Sequence, residues 1–517
     1  MAIRGESLQL GPWTGGVNFA VPAEDLTPND IFDGQNVRIG VGGEVTKRGG
    51  SEPYNGSAIS GSPTITALGE QRFSASSEKG FVIAGTKFFE DNLSGTLTDR
   101  TAAGTSITAG NDNTFQTVNA NGTLIATNGV ASDDIIKWTA AGGDTADLGG
   151  YTSRFSTAVA VDFFDNRLWF GNLTGSSGTT DRIWRSDTAD IETYGANSFH
   201  RFGEEITAVK KMGNGLAVHT LNGIYLLVPT GNAATPYRQI QRANTGTISE
   251  RSVVTVQIPN TGEVQLYIRR DGIYLFNGDS AQKISWKLDG ARYWDTINGD
   301  RLHKSHAVVY PNRNEVWFFV PHGASQVTMN HHIVFDYVRQ IFYPPFLGIA
   351  RNSSGVINDV PHCGGLSDGY VYKHESTNIY DNDGSTSSGI DAFFETAAPS
   401  PMGTDVRLRW LFARTGYDVE GNDEVTIGYS SPGIVSEFTT FTQEGGFDAI
   451  ETDFEIGSSA IAGEGSLSSV DTDLSGYDSN VKMRYGNANT SETFTIRRVM
   501  LVYKPVGRVR KEKAGIF

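Results

Sequence analysis

The sequence predicts an all-β protein: a β-propeller of about seven blades with an N-terminal arm and a C-terminal β-sandwich domain. Three observations carry this. Helical periodicity is scarce, a hairpin pattern returns at near-constant spacing, and that pattern gives way after residue 395 to longer alternating strands. The expected divisions are an arm and assembly segment over 1–55, the propeller over 56–395, and an acidic sandwich with a basic tail over 396–517.

In the arm, Thr27 is expected to cap one helical turn, with Pro28 in the first helical position and Asp30 near the positive end. Gly15 and Gly16 allow a sharp turn or a close backbone approach, and Lys47 to Gly50 end a strand before the first blade. Trp13, Phe19 and Phe32 give the segment an apolar side that suits packing on a neighbouring copy.

The propeller rests on one repeated unit, a strand, a tight polar turn and an aromatic-rich second strand. The first strand reads FVIAGT at Phe81, TLIATN at Thr123, RLWFGN at Arg167, GLAVHT at Gly215, QLYIRR at Gln265, EVWFFV at Glu315 and, weakly, GLSDG at Gly365. Its partners begin at Lys87, Asp134, Asp181, Asn222, Asp271, His332 and Gly369. Equivalent positions lie 42 to 50 residues apart, the length of a propeller blade. Lone hairpins are marginal in water, so stacking them around an axis buries faces that would otherwise stay wet. The competing arrangement of the same hairpins is a stack of sandwiches.

Past residue 395, Val406, Leu408, Trp410 and Phe412 alternate with Arg407 and Arg409. Val425, Ile427 and Tyr429 do likewise, as do Val481, Met483 and Tyr485, then Phe494 and Ile496. Such period-two patterning suits half-buried antiparallel strands. Pro399 and Pro401 cannot donate to a ladder and mark the boundary.

Composition narrows the function. Hydrophobic residues at 38% and aromatics at 11% exclude a disordered chain, and one cysteine, Cys363, excludes an internal disulfide framework or a Cys-based zinc cluster. No stretch approaches the ~18 apolar residues of a membrane helix, and the N-terminus has no signal-like apolar run, so a soluble, non-exported protein is expected. Nucleophile elbows, P-loops, H-E-x-x-H motifs, dinucleotide fingerprints and sialidase-type Asp-boxes are absent from the sequence. His303, His306, His331, His332 and His362 could gather around a metal, but adjacent strand residues 331 and 332 point to opposite faces. Asp381, Asp383 and Ser385, with Asp391 nearby, form only part of a calcium loop, and a turn is the better reading. Asp133 with Asp134, and Glu204 with Glu205, diverge too far to flank one glycosidic bond. No enzyme activity, cofactor or metal is expected.

Charge is distributed unevenly. The net charge is −16, yet residues 418–492 hold 15 acids against Lys482 and Arg484, while 493–517 hold seven bases against Glu512. Asp418, Glu420, Asp423 and Glu424 are therefore candidates for a surface that repels a polyanion, as a DNA conduit requires. The basic tail, with Arg508, Arg510, Lys511 and Lys513, is expected to reach an acidic face on a neighbouring subunit rather than to stack bases.

The segment from Leu10 to Gly50 carries G-G-x-N at Gly15, Gly16 and Asn18, then Q-N-V from Gln35, then K-R-x-G at Lys47, Arg48 and Gly50. It resembles the start of bacteriophage tail nozzle or tail hub structural proteins of short-tailed phages. That resemblance implies a homohexameric ring below the portal-adaptor (connector) complex, contacting tail fibre or needle proteins. It further implies passage of double-stranded DNA without sequence-specific binding, a place in the virion tail, and synthesis in the host bacterial cytoplasm. The assembly residues it suggests are Trp13, Gly15, Gly16, Asn18, Lys47 and Arg48, together with the basic tail. The alternative function is a tail-associated propeller that binds or degrades polysaccharide. A cellular scaffold is a third possibility, for which the lone WD dipeptide at Trp294 and Asp295 offers little.

Overall fold

In the computed structural model, residues 5–175, 179–404, 406–420, 423–431, 434–443 and 467–508 are described. Each recurring hairpin forms the two middle strands of an antiparallel sheet. Leu124, for example, lies between Asn119 on one side and Trp138 on the other. Seven such sheets follow in chain order, over 65–99, 116–147, 157–201, 206–243, 254–283, 306–351 and 353–374. The protein is a seven-bladed β-propeller.

Packing between blades explains why the hairpins are aromatic. Trp138 of blade two is fully buried among Phe81, Ile83 and Phe88 of blade one. Phe155, Phe170 and Trp184 fill the space between blades two and three, and Trp169 that between three and four. Tyr267 and Phe276 pack with Ala208 and Ile224 between four and five. Blades five and six share a large core, and Ile357 and Val371 of blade seven meet Ile65, Leu68 and Val82 of blade one. The stacking runs around the full circle.

The ring closes with a strand from the other end of the domain. Ser51–Pro53 pairs antiparallel with Val371–His374 and supplies the outermost strand of blade seven. Pro53 is tolerated there because an edge strand leaves its missing N–H without consequence. Asn55, 2% exposed, extends the clasp: its Oδ1 accepts from the Val371 amide at 2.7 Å and its Nδ2 donates to Gly369 O at 3.0 Å. The GLSDG segment expected to be a strand is instead the turn before it. The second strand of blade seven is Val360–Gly364, while Gly365 N donates to Tyr370 O and Asp368 Oδ1 accepts from the Tyr370 amide. Gly369 has φ +72, so the local chemistry favours a turn over a ladder.

Two six-stranded sheets form the sandwich. One contains Glu6–Leu10, Val37–Ile39, Val45–Lys47, Val406–Asp418, Leu467–Asp478 and Thr495–Arg508. The other contains Gly16–Val17, Asp30–Gln35, Ala392–Thr396, Glu424–Ser431, Ile434–Thr442 and Lys482–Asn487. Their inner faces meet where the Thr415 hydroxyl lies 2.8 Å from that of Tyr485, and the Tyr429 hydroxyl 2.8 Å from that of Ser475. Val425, Ile427, Met483 and Tyr485 are buried as their alternation predicts. On Val406–Asp418 the pattern changes partway. An irregularity between Trp410 and Phe412 shifts the phase, so Leu408 and Trp410 face inward before it and Ala413, Thr415 and Tyr417 after it.

The segment before the propeller is therefore not a free arm. It gives five strands to the sandwich and one to blade seven. Nor does a helical turn follow Thr27. Thr27 O accepts from the Asp30 amide in a tight turn, and a short 3-10 turn sits one step earlier at Ala23–Asp25. Entry of Asp30 into a sheet outweighs the local capping preference.

Replacing Asn55 by Ala should strand the buried Val371 amide and cost about 2 kcal/mol in denaturant unfolding. Amide exchange should quicken in Ser51–Pro53 and Val371–His374 more than in blade three. Equal protection in wild type and variant would exclude the clasp role.

Candidate functional site

Several residues of the segment from Leu10 to Gly50 meet the propeller at the seam between it and the sandwich. Asn36 turns the chain at φ +55, its Oδ1 accepting from Arg48 Nε at 2.9 Å and from the Leu347 amide at 2.7 Å. Arg48 donates to both Asp381 oxygens, at 3.0 and 2.6 Å, and to Leu347 O at 2.7 Å. Lys287 of the propeller reaches back to Asp30 Oδ1 at 2.8 Å and Gly15 O at 2.6 Å. Phe19 stacks on Tyr293 at 5.1 Å, and the Arg292 guanidinium lies 3.6 Å from the centre of the Phe32 ring.

Arg38 lies at the centre of this seam. Its Nη2 donates to Glu315 Oε2 at 2.8 Å, its Nη1 pairs with the other Glu315 oxygen, and its Nε donates to Glu375 Oε2 at 2.9 Å. Trp317 Nε1 donates to the same Glu315 carboxylate at 2.8 Å. Burial opposes the Arg38 charge, but Glu375 and Glu315 outweigh it and raise its pKa above the ordinary arginine value. The signal for Arg38 was present in the sequence, as one charge inside the β-branched run Val37–Ile39.

The predicted assembly residues thus find their partners within the chain. Trp13 is fully buried, edge-on to Phe394 at 4.9 Å, and Asn18 caps the Ala20 amide. At Gly15 a Cβ would meet Asp30 Oδ1 at 2.4 Å, and at Gly16, φ +76, it would meet Phe342 O at 2.6 Å. Lys47 Nζ donates to Asn487 Oδ1, Asn489 O and Glu492 O at 2.7–2.9 Å, and burial together with the Arg48 charge pushes its pKa down to about 8. Trp13, Gly16 and Lys47 read as free because their partners lie hundreds of positions away. The Arg508 backbone pairs opposite Val406, while Arg510, Lys511 and Lys513 lie outside the described residues.

Of the predicted channel-facing acids, three are engaged internally. Asp418 is paired with Arg497, whose Nη2 donates to it at 2.6 Å, and Glu420 accepts from the Thr495 hydroxyl. Asp423 Oδ2 accepts from the Thr493 amide at 2.9 Å, leaving Glu424 exposed. A basic strip lies on the outer face of the first sheet, where Arg407, Arg409 and Lys504 are exposed beside Tyr477, itself 51% exposed. Arg409 sits 5.9 Å from that ring.

The second candidate region is the propeller axis. A cavity of about 200 Å³ is bordered by Thr66, Thr117, Lys210, His306 and Ser353. Another of about 230 Å³ opens at one mouth between Asp112, Asn128, Asn172, Glu205, Glu250 and Lys304. Arg251 borders both and donates to Asn352 O and Lys304 O at 3.0 and 2.9 Å. Glu250 is 7% exposed, and no hydrogen bond of normal geometry reaches its carboxylate oxygens. Burial outweighs the Lys210 charge and the Val209 amide and raises its pKa to about 8.

Among the described residues the other sequence candidates form no ligand set, although His306 and His332 pack on the same Phe319 ring. His331 stacks on His322 at 3.9 Å while His332 faces Phe319 and His374, on opposite sides of one strand. His306 stacks on Phe319 and His362 lies edge-on to Tyr54. Asp383 accepts from the Ser385 and Thr386 amides in a hairpin turn, and Asp391 accepts from Gln35. Asp133 holds the Thr108 amide and Asn128, whereas Glu205 accepts from Asn172 at the axial mouth. Among the described residues, no three His, Cys, Asp or Glu side chains are arranged to hold a metal ion.

No protein-family model and no curated protein matches the sequence. Among solved structures, the chain is similar to an extracellular domain from B. thetaiotaomicron at 11% identity and TM-score 0.42, covering 81% of this chain and 59% of that one. It thus spans less than two thirds of that relative. An exo-beta-1,3-galactanase from Phanerochaete chrysosporium aligns at 9% identity and TM-score 0.28, over 78% of this chain and 97% of that one. The WD40 beta propeller domain of Doa1 aligns at 10% identity and TM-score 0.38, over 64% of this chain and 97% of that one.

Glu315→Gln should leave Arg38 buried with a weakened partner and cost about 3–5 kcal/mol in equilibrium unfolding. Glu250 gives a pH test. Its folded pKa lies above the unfolded value of 4.5, so its contribution is complete below that value and is lost as pH rises towards about 8. Glu250→Gln should therefore become progressively more stable than wild type between pH 5 and pH 8, read as the difference between their unfolding midpoints.

Proposed function

We propose that this protein is a structural, non-enzymatic subunit of a short phage tail. In this reading it forms a homohexameric nozzle or hub between the portal-adaptor complex and the distal tail, and conducts the genome during ejection. One observation carries the reading. Among the residues that bear the tail-protein resemblance, Gly15, Gly16, Asn36 and Arg48 build a buried joint between sandwich and propeller, while Lys47 ties strands within the sandwich. A ring subunit that transmits load between neighbours is served by such a joint.

The outer sheet of the sandwich offers the assembly surface. Arg407, Arg409 and Lys504 stand exposed there, and an acidic face on the next copy or on a connector protein is the complement they fit. Fibre or needle proteins would occupy the distal end, with DNA passing without base contacts. The subunit would be made in the host bacterial cytoplasm and reside in the virion tail.

The axial mouth supports a second reading, a tail-associated carbohydrate site. Asn128, Asn172 and Glu205 line it with groups that suit sugar hydroxyls.

Light scattering on the purified chain, alone and with a candidate connector ring, separates the two. A mass of about six copies in either condition supports the nozzle. A monomer in both conditions, together with retention on an immobilised host glycan that Glu205→Ala abolishes, supports the carbohydrate site instead.

A further inference from the structure

The outer face of the first sandwich sheet holds bases that its own acids do not neutralise. Arg409 stands directly opposite Lys504 across the strands Val406–Asp418 and Thr495–Arg508, and like charges so placed destabilise a sheet. Arg498 lies opposite Gly416, and a hollow of about 490 Å³ opens there, bordered by Gln9, Arg414, Ser469 and Arg498. The acids on this face are Asp471, which pairs with Arg414 at 2.6 Å, and Asp473, opposite Phe412. Among the described residues, no salt bridge reaches Arg407, Arg409, Arg498 or Lys504.

A face of opposite sign lies across the ring. Blade two ends in the exposed strand Ala146–Asp147, preceded by the exposed Asp144. Asp147 accepts from the Thr105 hydroxyl at 3.2 Å and Asp134 from the neighbouring Ser106 amide at 3.1 Å, which brings both acids to one stretch of the rim. Glu192 of blade three reaches over to blade two, accepting from the Gly149 amide at 2.6 Å and from Lys137 Nζ at 2.7 Å, and Asp190 is exposed two residues before it. The bases that border this rim are engaged: Lys137 with Glu192, Arg100 with Glu90, and Arg154 with Tyr194 O. Among the described residues, Asp144, Asp147 and Asp190 have no basic partner. Blades follow one another in chain order, so blades two and three lie opposite blade six, and blade six is where Gly16, Arg38 and Gly40 attach the sandwich. The basic face and the acidic rim therefore belong to opposite sides of one subunit.

We propose that the chain binds a second copy of itself head to tail, with the outer face of the first sheet seated on the acidic rim of blades two and three. The inference rests on the ring reading above and names the surfaces such a ring uses. A contact between two different faces of one chain leaves a free face at each end of every pair, so it repeats until a ring closes. Docking gives Arg409 and Lys504 the counter-charges that their own sheet denies them, and the complementary fields orient the encounter.

The test reverses each face in the full chain and weighs the products by light scattering. Arg409→Glu with Lys504→Glu, and Asp144→Lys with Asp147→Lys, alter exposed side chains and should leave the unfolding midpoint unchanged. Each pair alone should weaken association by about tenfold or more, and added salt should weaken it in the wild type. Mixing the two variants should restore assembly, because each then offers the face that the other lacks. Wild-type rings that survive both reversals, or variants that fail to combine when mixed, overturn this contact and leave the ring reading standing. A wild-type chain that is monomeric both alone and with a candidate connector ring removes the two together.

Discussion

Everything distinctive about this molecule depends on the buried contact of Arg38 with Glu315 and Glu375. Glu315 opens a strand of blade six, and Glu375 follows the last strand of blade seven. One guanidinium from the sandwich therefore fastens two blades at once. A buried pair of this kind adds little net stability over an apolar substitute, yet losing one partner is severe. It works as a specificity device: the sandwich docks in the single position where all three charges are satisfied. Arg48 repeats the logic a few residues on, binding Asp381 and the backbone of blade six.

Much of the propeller was legible in the sequence because its information is local. A hairpin such as Arg167–Thr174 with Arg182–Arg185 announces itself through aromatic and β-branched residues around a polar turn, and seven of them set the blade count. The seventh was misplaced by a few residues, because Gly365 to Gly369 read as its strand but form the turn between Val360–Gly364 and Val371–His374. The joint was invisible for the opposite reason. Arg48 looks like an exposed charge on a leading arm, and nothing nearby reveals Asp381 or Leu347. The phase shift after Trp410 was hidden too, since an extra residue in a strand leaves no composition signal.

Charge in the protein is handled in two ways. Glu250 can lie unpartnered at the axial mouth because a carboxyl group accepts a proton when burial demands it. Arg351 has no such escape; burial lowers its pKa, while the Asp381 and Asp368 carboxylates favour its charge.

The interlaced topology also governs how the chain comes off the ribosome. Glu52 pairs with Lys373, and Leu8 with Leu501, so early strands wait for partners made much later. At ~5–20 residues per second, the clasp strand stays unpaired for roughly 15 to 60 s during translation. The strands Glu6–Leu10 and Val45–Lys47 wait longer still, because their shared neighbour Thr495–Arg508 is made last. Blades one to six can stack as they emerge and the ring can close once Val371–His374 is made, yet the sandwich is not complete before Thr495–Arg508 follows. A product truncated before Thr495 would hold every strand of the ring but leave the sandwich unfinished.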